Sequence, residues 1–124
     1  MTTEVLTLPL PSRVLSPNAR PNRFAKSRAT ATARTLARRS TYAAMREWDY
    51  PAGFVVLSLR YVAHWKSKRV KKDDVNLLAS CKAYEDGIQD AVKQDDSTWS
   101  LEKPEHHVGS EEPRLVIEIN IQEL

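Results

Sequence analysis

Residues Lys68–Asp96 read KRVKKDDVNLLASCKAYEDGIQDAVKQDD. A cationic run meets two adjacent carboxylates, Asp73 and Asp74, and the segment closes on a second pair, Asp95 and Asp96. Between the pairs Leu77, Leu78, Cys81, Tyr84, Ile88 and Val92 recur at helical spacing, which predicts an amphipathic helix from Asp74 or Val75 to Val92. Gly87 weakens its middle. Such a helix is about 27 Å long at 1.5 Å per residue. Its two ends alone cannot share one ion, so a joint site requires the chain after Val92 to double back.

Working outward, Phe54–Trp65 (FVVLSLRYVAHW) is the strongest strand pattern. Strict alternation puts Val55, Leu57, Leu59, Tyr61, Ala63 and Trp65 on one face, and Ser58, Arg60 and His64 on the other. Upstream, Arg23 to about Trp48 lacks Pro and Gly and is rich in Ala, Arg and Lys, a long basic helix that Pro51 and Gly53 end. Thr3–Leu8 reads as a short strand, and Pro9, Pro11, Pro17 and Pro21 make the following stretch an ordered loop. After Asp96, STWSLEK suggests a short strand, PEHHVGSEEP a polar loop holding His106 and His107, and RLVIEINIQ a final strand with Leu115, Ile117, Ile119 and Ile121 on one face. The expected architecture is a single small α+β domain over residues 1–124, in the order β-α-β-α-β-β, its mixed sheet covered by two helices.

Charge is distributed unevenly. The net charge is +3, yet from Val5 to Arg46 there are nine Lys or Arg and no Asp or Glu. A one-sided basic half points to a polyanionic partner, nucleic acid being the commonest, against the alternative of a solvated basic helix. Trp65 and Tyr61 fall on the presumed core face and Trp48 and Trp99 stand alone, which argues against a single-strand stacking platform. Cys81 is the only cysteine, so no internal disulfide forms, and its place on the apolar stripe reads as a buried thiol. No signal peptide and no membrane-spanning run is apparent, so a soluble intracellular protein is expected.

Carboxylate oxygens suit a hard cation such as Mg²⁺, which a nuclease uses to activate water and to neutralise phosphate charge. Asp73, Asp74, Asp95 and Asp96 are the candidate ligands. Capping and turn formation explain the same residues without a metal, and both readings remain open on chemistry alone. The pair His106–His107 has no spaced partner and makes a poor zinc site.

The order of these features carries a resemblance. A basic run, a D-x-D-N-like element, an apolar helix with Lys and Asp, and then D-D resemble the RusA-like Holliday junction resolvases of phages and bacteria. Leu8–Thr30, LPLPSRVLSPNARPNRFAKSRAT, is similar to the start of phage-type members. The resemblance covers nearly the whole chain. It implies a cytoplasmic homodimer that binds four-way DNA and cuts it with Mg²⁺, or Mn²⁺, in recombination and repair. It makes Asp73 the first aspartate, Asn76 the asparagine, and Asp95 and Asp96 the later pair. Lys82 with Asp86 matches the helix pair. Asp73, Asp96 and Lys82 are thereby the expected catalytic residues. Arg20, Arg23, Lys26, Arg28, Arg34, Arg38, Arg39, Lys71 and Lys72 are the expected DNA contacts. Val75 departs from the pattern, because it stands where the second aspartate belongs and cannot ligate a metal. Two alternatives follow: a junction-binding protein of the same fold with impaired catalysis, and a basic α+β module that binds RNA or protein.

Overall fold

The computed structural model describes residues 1–124. Its strands are β1 (Thr2–Leu8), β2 (Phe54–His64), β3 (Ser100–Leu101), β4 (Glu105–His107) and β5 (Arg114–Glu123). Its helices are α1 (Arg23–Met45), α2 (Asp74–Ser80) and α3 (Lys82–Val92). β5 lies between β1 and β2, antiparallel to both, while β3 and β4 run parallel to β2 along its other edge. The result is the expected α+β domain with a mixed sheet.

Period-two patterning builds the core. Leu115, Ile117, Ile119 and Ile121 of β5 are fully buried, beside Leu6 and Leu8 of β1 and Leu59, Tyr61 and Ala63 of β2. Each large aliphatic side chain there is worth about 1.5–3 kcal/mol of transfer free energy. The opposite sheet face carries polar ladders. Thr3 Oγ1 donates to Asn120 Oδ1 at 2.7 Å, Asn120 Nδ2 to Ser58 Oγ at 2.8 Å, and Arg60 Nε to Glu118 Oε1 at 2.6 Å.

Three details differ from the sequence expectation. First, a bulge between Val56 and Ser58 breaks the alternation of β2, so Val56 is fully buried while Val55 and Leu57 are half-buried. Gln94 braces this point: its Oε1 accepts from Val56 N and its Nε2 donates to the Phe54 carbonyl, both at 2.9 Å. Second, β3 is only two residues long, and the expected polar loop contains β4. Third, Trp48 and Trp99 do not stand alone. Trp48 packs edge-on against Tyr50 and Phe54, and buried Trp99 donates from Nε1 to Glu85 Oε2 at 2.9 Å.

The single expected helix is two, interrupted at Cys81. Ser80 Oγ donates back to the Asn76 carbonyl at 2.8 Å, a competing bond that bends helices. The apolar stripe survives the interruption, with Leu77, Cys81, Tyr84, Ile88 and Val92 all buried. Burial pushes the Cys81 thiol far up, so it stays protonated and inert. α3 lies close against α1, with Gly87 at the backbone of Arg34 and Arg38. No helix is long and apolar enough to cross a membrane.

Candidate nucleic-acid and carboxylate site

Asp73 caps α2. Its Oδ1 accepts from Asn76 N at 2.8 Å and its Oδ2 from Asn76 Nδ2 at 3.0 Å, so the D-x-x-N spacing closes on itself. Asp73 opens on a cleft of about 620 Å³ lined by Lys68, Lys71, Lys72, Asp73, His106 and Val108. On the other side of the 66–72 loop Arg13, Lys66, Arg69 and Lys72 line a second concavity. None of Arg13, Lys66, Lys68, Arg69 or Lys71 is in an ion pair with the protein's own carboxylates. Lys72 is more enclosed. Burial lowers its pKa, and its Nζ donates to Ser80 Oγ at 3.2 Å.

The remaining acidic residues lie on different supports. Asp74 Oδ1 is 2.6 Å from His106 Nε2. Asp95 caps a short 3-10 turn and accepts from Ser97 N at 2.9 Å, which holds its carboxyl below the ordinary range. Asp96 Oδ2 takes the ammonium of Lys82 at 2.8 Å. The doubling-back does occur: Lys93 ends α3 in the left-handed region at φ 58°, and the chain returns along α3 to Lys82. It returns to the start of α3, not to the head of α2, and no hydrogen bond or ion pair joins the two acidic pairs.

Lys82 Nζ also lies 3.2 Å from both Glu85 Oε1 and Asp86 Oδ1. The Asp96 hydrogen bond leads in raising its pKa, so it is charged throughout the neutral range. An ammonium has three protons, and three carboxylates take them. In this arrangement Lys82 has no donor left for a phosphate.

No three His, Cys, Asp or Glu side chains converge in an arrangement that holds a metal ion. Mg²⁺ seldom needs such a cage. It is typically held by one or two carboxylates, with substrate phosphate and water completing the shell. Asp73 and Asp74, adjacent at a cationic cleft, fit that donor set; Asp95 and Asp96 do not join it. Val75, beside them, is 76 % exposed.

Of the expected DNA contacts, Arg20, Arg23, Lys26, Arg28, Arg38, Arg39 and Lys71 are exposed and free of ion pairs. Arg34 is not free. Its Nε and Nη2 reach both oxygens of Asp90 at 2.7 and 2.8 Å, tying α1 to α3 and holding the Asp90 carboxyl low. His106 is the site residue that the sequence reading assigned to a loop. The signal that could have found it was its β-compatible spacing from Trp65, legible only once β4 is paired with β2.

No family model matches the sequence. An uncharacterized protein of Xylella fastidiosa is 38 % identical over 102 residues, a match covering 73 % of this chain and 59 % of that protein. The chain thus spans well under two thirds of that relative's length.

Proposed function

We propose that this protein recognises four-way or branched DNA and is an endonuclease similar to the RusA-like junction resolvases, acting as a cytoplasmic homodimer. The observation that carries the reading is the Asp73–Asn76 cap opening on the cleft lined by Lys68, Lys71 and Lys72. Cations there bind phosphate, and a fixed carboxylate meets the same cleft. Recognition is led by backbone and shape, since lysine and arginine on phosphates position the protein without reading bases. Asp73 and Asp74 would hold Mg²⁺, which when bound supplies Lewis-acid activation for phosphodiester hydrolysis. Lys71 and Lys68 orient the phosphate, and Asn76 fixes the Asp73 carboxylate.

A second reading, a junction binder with little or no cleavage, is favoured by Val75 at the position of the second aspartate. One experiment separates the two. A labelled four-way junction and a linear duplex of equal length are incubated with the protein, with and without Mg²⁺. Mg²⁺-dependent symmetric cuts near the crossover support the nuclease. Tight, junction-selective binding without cuts supports the binder. Equal affinity for junction and duplex, with no cleavage, rejects both. Sedimentation that gives only monomer in the presence of junction removes the homodimer.

A further inference from the structure

The carboxylate next to the substituted position is held by a chain of side chains that crosses three parts of the fold. Trp65 follows β2, His106 lies in β4, and Asp74 opens α2. Trp65 Nε1 is 2.9 Å from His106 Nδ1, and the two rings stack at 6.2 Å with 13° between their planes. His106 Nε2 is in turn 2.6 Å from Asp74 Oδ1.

The direction of these bonds is fixed by chemistry. An indole N–H only donates. His106 Nδ1 must therefore present its lone pair, which makes the ring neutral with its one proton on Nε2. That proton points at Asp74. Both nitrogens are then engaged, so His106 is neither a general base nor a metal ligand here. What it does is hold a carboxylate.

The support is rigid. Trp65 is buried, and its backbone is tied on both sides: Trp65 N donates to the His107 carbonyl at 2.8 Å, and Ser110 N donates to the Trp65 carbonyl at 3.0 Å. Left alone, an aspartate in the first turn of an exposed helix samples several rotamers. The His106 bond selects one. Asp74 Oδ2 has no protein partner, while the imidazole that fixes Oδ1 forms part of the cleft wall with Asp73.

We propose that His106, itself locked by Trp65, is a positioning residue that fixes Asp74 as the second carboxylate of the cleft, in the role Val75 cannot fill. The proposal rests on the reading of the cleft as a phosphodiesterase site. Carboxylate–histidine pairs of this kind serve metal sites elsewhere with the histidine as ligand. Here the order is inverted, with the carboxylate outward.

The test has three arms. Long-range ¹H–¹⁵N spectra of the labelled protein should show His106 protonated at Nε2 alone; protonation at Nδ1 overturns the proposal. Mn²⁺ binding without DNA, read by electron paramagnetic resonance, should weaken about 10- to 100-fold in His106→Phe, the usual cost of losing a supporting bond. His106→Gln, whose amide reaches toward Asp74, should recover most of that loss. His106→Asn, whose shorter amide does not reach, should not. These two variants decide the matter even where His106→Phe fails to fold. Parent-like Mn²⁺ affinity in His106→Asn overturns the proposal. In junction cleavage the Asn variant should lose kcat with KM unchanged. Where the parent cuts no junction yet the spectra and Mn²⁺ affinities behave as stated, the positioning role stands and the nuclease reading falls.

Discussion

Lys82 Nζ lies 2.8 Å from Asp96 Oδ2, across fourteen residues of sequence. That contact, with Glu85 and Asp86, pins the returning segment after α3 to the start of the same helix. Glu85 is buried and also accepts from Trp99, so the ammonium neutralises a charge that has little water. Lys82→Met should therefore destabilise the fold by about 1–2 kcal/mol, charged hydrogen bonds being discounted for the exposed lysine. The Lys82 pKa is raised on folding, so its contribution is complete below the unfolded lysine value and is lost only as pH rises through the folded one. Urea unfolding at pH 7 should show the full loss.

Gly87 is required by packing, not by helix formation. A Cβ there would fall inside contact distance of the Arg34 carbonyl, 2.8 Å from Ala37 Cβ and 2.9 Å from Arg38 N. Glycine-to-alanine in a helix normally gains about 1 kcal/mol. At this position the sign reverses, because backbone atoms of α1 cannot give way locally, and Gly87→Ala should cost about 3 kcal/mol. A shift of the urea midpoint to lower concentration at constant m checks this.

The arginines of α1 should divide by function. Arg34→Gln should reduce stability modestly, by under about 1 kcal/mol, since it loses only an exposed pair with Asp90. Arg38→Gln with Arg39→Gln should leave stability unchanged and weaken junction binding. If both touch phosphates, the slope of log affinity against log salt should fall by about 0.9 per contact. Lys68→Gln with Lys71→Gln should act the same way. Unchanged salt slopes in both double variants would remove α1 and the 66–72 loop as the DNA face.

Val75→Asp tests the departure from the family pattern. The position is exposed, so an added carboxylate is solvated and stability should change by less than about 0.5 kcal/mol. Mg²⁺-dependent junction cleavage should rise by tenfold or more if the second ligand had been missing, on the order of one supporting interaction. An unchanged rate would mean that Asp74 already supplies it.

Acid should weaken the fold in two stages. Burial lowers the His64 pKa, so the unfolded chain takes up the proton first, and stability falls as pH drops through about 6.5. The carboxyls of Asp90 and Asp95 are held low by Arg34 and by the Ser97 amide, so their contribution is present above about pH 4 and lost below it. Thermal melts from pH 8 to 3 should show both steps, and His64→Gln should flatten only the upper one.

The sequence by itself determined the elements. Period-two runs at Arg114–Glu123 and the helical recurrence of Leu77, Cys81, Tyr84, Ile88 and Val92 specify which faces are buried, because burial depends on local periodicity. It also placed the Asp73–Asn76 cap, a contact between neighbours in the chain. Only the tertiary structure decided the rest. The bulge in β2 is held by Gln94, Arg34 is drawn from solvent to Asp90, and Lys82 is claimed by Asp96. The short strand that lifts His106 between Trp65 and Asp74 exists because β2 offers it an open edge. Each of these is a pairing between side chains far apart in sequence, and such pairings have no period to read: they form only where the folded backbone brings a donor within about 3 Å of an acceptor.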